Sequence, residues 1–178
     1  KDVNGDGFRE MPNGKAFFLG ASGKTALYTP SGTTNVGSWA PGATMPNGMV
    51  TRDAPAAMMV NGKILCALHS PVGDSNNTGP IYFYEYDYLA NSFTQVNSPT
   101  GGLADYNTGA NRASMLCLPD GKLLYSDTTT QLYVYTPDGP PVAAGKPVIH
   151  SIIPNGDGSY RLTGTGLNTY GSATLLYQ

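Results

Sequence analysis

One turn is written three times in this chain: Asn13-Gly14-Lys15, Asn61-Gly62-Lys63 and Asp120-Gly121-Lys122. Asn-Gly and Asp-Gly suit a two-residue type I′ hairpin, in which both central residues sit at positive φ, so that turn is expected at each site. Each triplet adjoins apolar runs. The second lies between Ala56-Ala-Met-Met-Val60 and Ile64-Leu-Cys-Ala-Leu68, the third between Ser114-Met-Leu-Cys-Leu118 and Leu123-Leu-Tyr-Ser126. Near-continuous apolar runs of this length suit strands buried on both faces. The first copy keeps only its second arm, Ala16-Phe-Phe-Leu19. An aromatic strand follows each hairpin: 26–30, 82–87 and 132–137. Gly14 to Tyr28 is 14 residues, Gly121 to Tyr135 is 14, and Gly62 to Tyr86 is 24. The middle copy therefore carries a ten-residue insertion, assigned to the polar stretch 70–79. A fourth short element brings an aromatic in two copies, Ser38-Trp39 and Ser92-Phe93; the third copy lacks it. Turn-to-turn spacings of 48 and 59 residues with four strands per copy predict stacked four-stranded sheets, because one such unit cannot bury its faces alone. The competing reading is a generic sandwich whose hairpins are alike by accident.

Composition narrows the class. Charged residues are 12% of the 178, against roughly 25% in an average globular protein, while 23 Gly, 14 Pro and 12 Tyr signal many turns and many half-buried strands. This pattern suits an extracellular all-β protein and excludes helical bundles, coiled coils and nucleotide-binding α/β domains. A net charge of −2 without a basic stripe excludes a nucleic-acid partner. No apolar run reaches the ~18 residues of a membrane-spanning helix. The chain opens at Lys1 and closes on Leu-Leu-Tyr-Gln178, which reads as mid-strand, so the expectation is that sequence is missing at both ends. Cys66 and Cys117 each sit in an apolar strand. They read as two buried free thiols, with a single bridge as the alternative. A zinc site would need both to converge with His69 and His150, which is disfavoured.

After Pro137 the pattern changes. Residues 138–146 read as a linker, the run Lys146-Pro-Val-Ile-His-Ser-Ile-Ile153 as a strand, Asn155-Gly-Asp-Gly158 as a turn and Ser159–Thr163 as a second strand. Gly164-Thr-Gly-Leu-Asn168 resembles the immunoglobulin-like domains of the IPT/TIG or E-set type. The whole layout resembles the galactose oxidase/kelch family, most sharply at Ser114-Met-Leu-Cys-Leu-Pro-Asp-Gly-Lys122. The resemblance implies an all-β fold: a partial kelch-type β-propeller of about three four-stranded blades (9–50, 53–100 and 111–137, within 1–137), then residues 147–178 as the start of an Ig-like β-sandwich. It also implies that the third copy is the last blade of its ring, normally closed by a strand from the other end of the propeller. The copper-radical oxidases of the family carry a Tyr-His ligand pair just before the matching strand. The corresponding positions here are Asn111 and Arg112. Asn is a poor copper ligand and Arg stays protonated, so copper is disfavoured and no catalytic residue is assigned.

Other candidate sites follow from the residues. Asp2, Asn4 and Asp6 alternate as in the start of a calcium loop, but Asn13 stands where the bidentate acid belongs. A polar turn is the competing reading. Aligned on the repeat glycine, Arg52-Asp53 and Asn111-Arg112 are equivalent and precede the first strand of their copies. They either form a ligand-binding patch at one mouth of a channel or pair as a structural Arg–Asp bridge between blades, and Asp105 and Tyr106 join either version. His69 and His150 read as packing or hydrogen-bonding residues. Gly20-Ala-Ser-Gly23-Lys24-Thr25 falls between two strands with no helix to follow, so it reads as a tight turn rather than a phosphate loop. Asn76-Asn77-Thr78, in the insertion, is a glycosylation sequon. Three blades do not close a ring of roughly four to eight. The open faces therefore call for other copies of the chain or the rest of a longer one. The preferred reading is a secreted or cell-surface, non-catalytic binding or scaffold module with a carbohydrate or protein ligand. The alternatives are a fragment of a copper-radical oxidase whose active residues lie elsewhere, and a structural subunit of an extracellular assembly.

Overall fold

A computed structural model describes residues 9–51, 53–70, 80–143 and 148–165. These residues hold no α-helix, single-turn 3-10 segments lie at Pro46–Gly48 and Ala110–Arg112, and the strands form several antiparallel sheets, none closed on itself. The chain divides into two compact units, Lys1–Pro140 and Pro141–Gln178.

The first unit contains three sheets in chain order. Sheet 1 runs β1 (Arg9–Glu10), β2 (Ala16–Leu19), β3 (Thr25–Thr29), β4 (Ser38–Pro41). Sheet 2 runs β5 (Ala56–Met58), β6 (Ile64–His69), β7 (Ile81–Asp87), β8 (Ser92–Val96), with β9 (Ala104–Asp105) rejoining β7 beyond β8. Sheet 3 runs β10 (Ser114–Cys117), β11 (Leu123–Ser126), β12 (Leu132–Tyr135). The repeat extends to register. Ala16 pairs with Tyr28, Ile64 with Tyr86 and Leu123 with Tyr135, so the residue two after the hairpin glycine always faces the same tyrosine. Trp39 then pairs with Tyr28 and Phe93 with Tyr86, while the described part of sheet 3 has no fourth strand.

The hairpin turn differs from the expected one. Of its two central residues neither Asn nor Asp has positive φ; only the glycines do, at 79°, 83° and 85° for Gly14, Gly62 and Gly121. The glycine N–H donates to the carbonyl of Met11, Met59 or Leu118 three residues earlier, and Asn13, Asn61 and Asp120 accept from the amide of the following lysine. This is a type I turn closed by a left-handed glycine. Pro12 and Pro119 suit its second position because their φ is already set near −65°. The segment 20–25 is likewise a turn, with Gly23 donating to the Gly20 carbonyl at 3.2 Å.

Strand alternation gives each sheet two faces, and the three sheets use them in the same sense. Face A of sheet 2 (Ile64, Cys66, Leu68, Tyr84, Tyr86) packs on face B of sheet 1 (Phe17, Leu19, Leu27), with Met11, Met45 and Met49 filling in. Face B of sheet 2 (Ala57, Leu65, Ala67, Ile81, Phe83) packs on face A of sheet 3 (Leu123, Tyr125, Tyr133, Tyr135). Each large side chain so enclosed contributes roughly 1.5–3 kcal/mol. Among the described residues only the middle sheet is covered on both sides, and β6 is accordingly buried at every residue. β10 and β11 do not match the expectation of two buried faces: β10 is largely exposed and β11 alternates, because nothing described covers the far side of sheet 3. Between sheets the first strands lie closest, β1 beside β5 and β5 beside β10. There the Cys117 thiol donates to the Met58 carbonyl at 3.3 Å. Neither cysteine is in a disulfide; Cys66 is buried as expected, but Cys117 is exposed, since it sits on an edge strand of an end sheet.

In the second unit β13 (Val148–Pro154) and β14 (Tyr160–Thr165) form a hairpin with an irregularity between Ile149 and Ser151. His150 lies on β13 and is exposed.

Candidate functional site

The antiparallel order sends all three glycine hairpins to one end of the first unit. The starts of β5, β7, β10 and β12 and the finishes of β6 and β11 collect at the other, which we term the loop end. Asp53, Asp105, Tyr106, Asn111 and Arg112 all lie at the loop end. Arg52 of the expected patch lies outside the described residues, as do Asp2, Asn4 and Asp6 of the calcium candidate and the Asn76 sequon.

The members of the patch divide by burial. Asp105, on β9, is wholly buried at the junction of sheets 2 and 3. It accepts a hydrogen bond from the Tyr125 hydroxyl at 2.7 Å and another from the Asn107 backbone N–H at 2.8 Å. The Asn107 side-chain amide continues the chain to Asp127 at 3.0 Å, whose other oxygen accepts from the Thr129 amide at 2.7 Å and hydroxyl at 2.5 Å. Burial pushes the Asp127 carboxyl up, but the Thr129 and Asn107 donors outweigh it and hold the group below its ordinary range. Burial, then the hydrogen bond to Asp105, push the Tyr125 phenol far above its ordinary range. The phenol therefore stays protonated at neutral pH and is unsuited to act as a base or nucleophile. Every oxygen of the two carboxylates is engaged by a fixed donor. This cluster ties sheet 2 to sheet 3.

Around it stand exposed groups. Asp53 occupies a left-handed conformation at φ 55° just before β5, and Asn111 and Arg112 form the 3-10 turn before β10. Tyr106 is 75% exposed. Ala54 and Ala113, the next residue of each copy, are buried in the same core cluster, which fixes Asp53 and Arg112 at equivalent rims. The ion pairs among the described residues are Lys63–Glu85 and Lys122–Asp120, so the alternative Arg–Asp bridge is not made between Arg112 and Asp53. The loop end thus presents a guanidinium, a carboxylate, a carboxamide and a phenol ring to solvent. A copper ion would find no site at Asn111 and Arg112: one is a weak neutral donor and the other a permanent cation, both on an exposed turn. Among the described residues no group of three or more His, Cys, Asp and Glu is placed to hold a metal.

Sequence reasoning missed Tyr125, Asn107, Asp127 and Thr129. Asp105-Tyr-Asn107 and Asp127-Thr-Thr129 are local carboxylate turns, and two such turns in successive loops are the signal that was there to be used. It also missed Glu85, on face B of β7, which accepts from Lys63 at 2.8 Å and from the Tyr135 hydroxyl of sheet 3 at 2.9 Å. His69 is buried, and its Nδ1–H donates to the Ser70 carbonyl at 2.9 Å. No protein-family model matches this chain, and neither does any curated protein.

Proposed function

We propose that residues 9–137 are successive blades of a kelch-type β-propeller, that β13 and β14 open an Ig-like sandwich, and that the chain is a non-catalytic binding or scaffold module acting outside the cell. Support for the propeller comes from the threefold register match, from sheets stacked A face on B face, and from first strands being the ones that converge. Such convergence is what sheets radiating from an axis require. The observation that carries the binding reading is the division of the loop end into carboxylates held by protein donors and a rim of Asp53, Tyr106, Asn111 and Arg112 that forms no ion pair among the described residues. A rim of hydrogen-bonding groups beside an exposed phenol ring suits a neutral oligosaccharide, whose hydroxyls take the polar groups and whose apolar sugar face takes the ring.

The test is a titration of immobilised neutral oligosaccharides with the 178-residue protein, its Arg112→Ala variant and its Tyr106→Ala variant. Binding weakened at least tenfold in both variants, with unchanged melting curves, supports the reading. Equal binding by all three refutes the assignment of the rim. Stoichiometric copper together with peroxide release from alcohols would instead establish the oxidase alternative.

A further inference from the structure

The A-on-B contact occurs twice inside the first unit, and at each end of the stack one member of the pair has no sheet opposite it among the described residues. On face A of sheet 1, Phe18, Tyr28 and Trp39 form a ring cluster, with Trp39 centroids 6.4 Å from Phe18 and 5.0 Å from Tyr28, and Trp39 is 62% exposed. On face B of sheet 3, Leu116, Leu124 and Val134 lie in one cross-strand row, with Leu132 beside them, and Leu116 is 61% exposed. We propose that these two faces dock on each other between two copies of this chain, head to tail, continuing the interface that already joins sheet 1 to sheet 2 and sheet 2 to sheet 3.

Repeat equivalence specifies the contact. Phe17, Leu65 and Leu124 each stand three residues after the hairpin glycine. Phe17 stacks on Tyr86 at 3.9 Å and 10°, and Leu65 shares a cluster with Tyr135. Leu124 of one copy is thereby directed to Tyr28 of the next, the tyrosine equivalent to Tyr86 and Tyr135. Charge agrees with this. Glu85 requires Lys63 and Tyr135 where sheet 2 meets sheet 3, but the equivalent position on sheet 3 is Val134, so the open pair brings no carboxylate out of water. A second copy suits these faces better than an unrelated partner because each open face matches, position by position, one that this sequence already packs.

A head-to-tail contact makes a distinctive prediction about blocked variants. Trp39→Lys disables face A and Leu116→Lys disables face B, both at exposed positions. Light scattering should show wild type self-associating, each variant alone as a monomer, and an equimolar mixture as a species of twice the chain mass, since one variant keeps a good B face and the other a good A face. Circular dichroism checks folding, and Tyr28→Lys with Val134→Lys is the second pair should either variant unfold. A wild-type monomer overturns the proposal, as does a variant that still dimerises alone, which would mean like faces pair. The proposal rests on the propeller reading only for closure. Electron microscopy of wild type showing a discrete ring supports both, whereas an open filament keeps the head-to-tail contact and sinks the propeller.

Discussion

Removing one hydroxyl, with Tyr125→Phe, tests whether the Asp105–Tyr125 bond holds sheet 3 to sheet 2. The ring stays, so its edge contact with Phe83 at 5.2 Å and 89° is preserved, and the change isolates the O–H that donates to Asp105 Oδ2 at 2.7 Å. Both residues are fully buried, so water cannot replace the lost donor without opening the junction. A hydrogen bond to a charged group contributes about 1.5–3 kcal/mol, and the stranded carboxylate oxygen places this case in that range. About 2 kcal/mol corresponds to a fall in melting temperature of roughly 4–8 °C for a unit of this size. Tyr106→Phe, at an exposed position, serves as the control and should change stability by less than about 0.5 kcal/mol. Urea unfolding followed by tyrosine fluorescence measures both, and Asp105→Asn completes a double-mutant cycle whose coupling should exceed about 0.5 kcal/mol. A Tyr125→Phe variant as stable as wild type, or a cycle with no coupling, would show that the buried pair is incidental and that apolar packing alone joins the sheets.

Two further perturbations probe the loop end and the hairpin end. Asp127 has its carboxyl held below the ordinary value of 3.8, so its stabilising contribution is complete above that value and is lost as pH falls through the lower folded one; Asp127→Asn should therefore cost stability at pH 7 and match wild type in melts at the acid limit. A gap between the two proteins that persists or widens in acid contradicts this. Gly121→Ala places a Cβ at φ 85° and 2.9 Å from Val60 Cγ1, whereas Gly101→Ala, at φ 95° in a turn with the same glycine-to-carbonyl bond, meets nothing within 4 Å. Both pay about 1–2 kcal/mol for the left-handed backbone, and Gly121→Ala should cost measurably more in chemical unfolding. Equal costs would mean that the hairpins of sheets 2 and 3 do not press on each other.

Strand order and register were legible because a glycine hairpin fixes where pairing starts and a period of two carries it outward. Once Gly14, Gly62 and Gly121 are aligned, the tyrosines at 28, 86 and 135 must fall opposite equivalent residues, whatever the insertion between β6 and β7 does. The turn type was misjudged because Asn-Gly is shared by two hairpins; the prolines at 12 and 119, which fix negative φ one residue earlier, decide between them. β9 was invisible at two residues, since it has no period of its own and exists because β8 leaves the start of β7 unpaired. Asp105 looked like a surface acid beside a loop. Its burial depends on Tyr125, twenty residues away, turning its hydroxyl inward from the next sheet, and no local pattern carries that.

The deeper reason is that in a stack a side chain's surroundings are set by the neighbouring sheet rather than by its own strand. Leu27, Glu85 and Val134 occupy one repeat position, immediately before the conserved place of the tyrosine in each copy. Leu27 packs against sheet 2 and is apolar. Glu85 is a carboxylate because sheet 3 brings the Tyr135 hydroxyl to it and Lys63 closes the pair from its own sheet. Val134, with no described sheet opposite, is 53% exposed yet remains apolar. One exposed valine would mean little, but Val134 lies in a row with Leu116 and Leu124 and beside Leu132, and a contiguous apolar patch of this kind argues that sheet 3 is built to be covered.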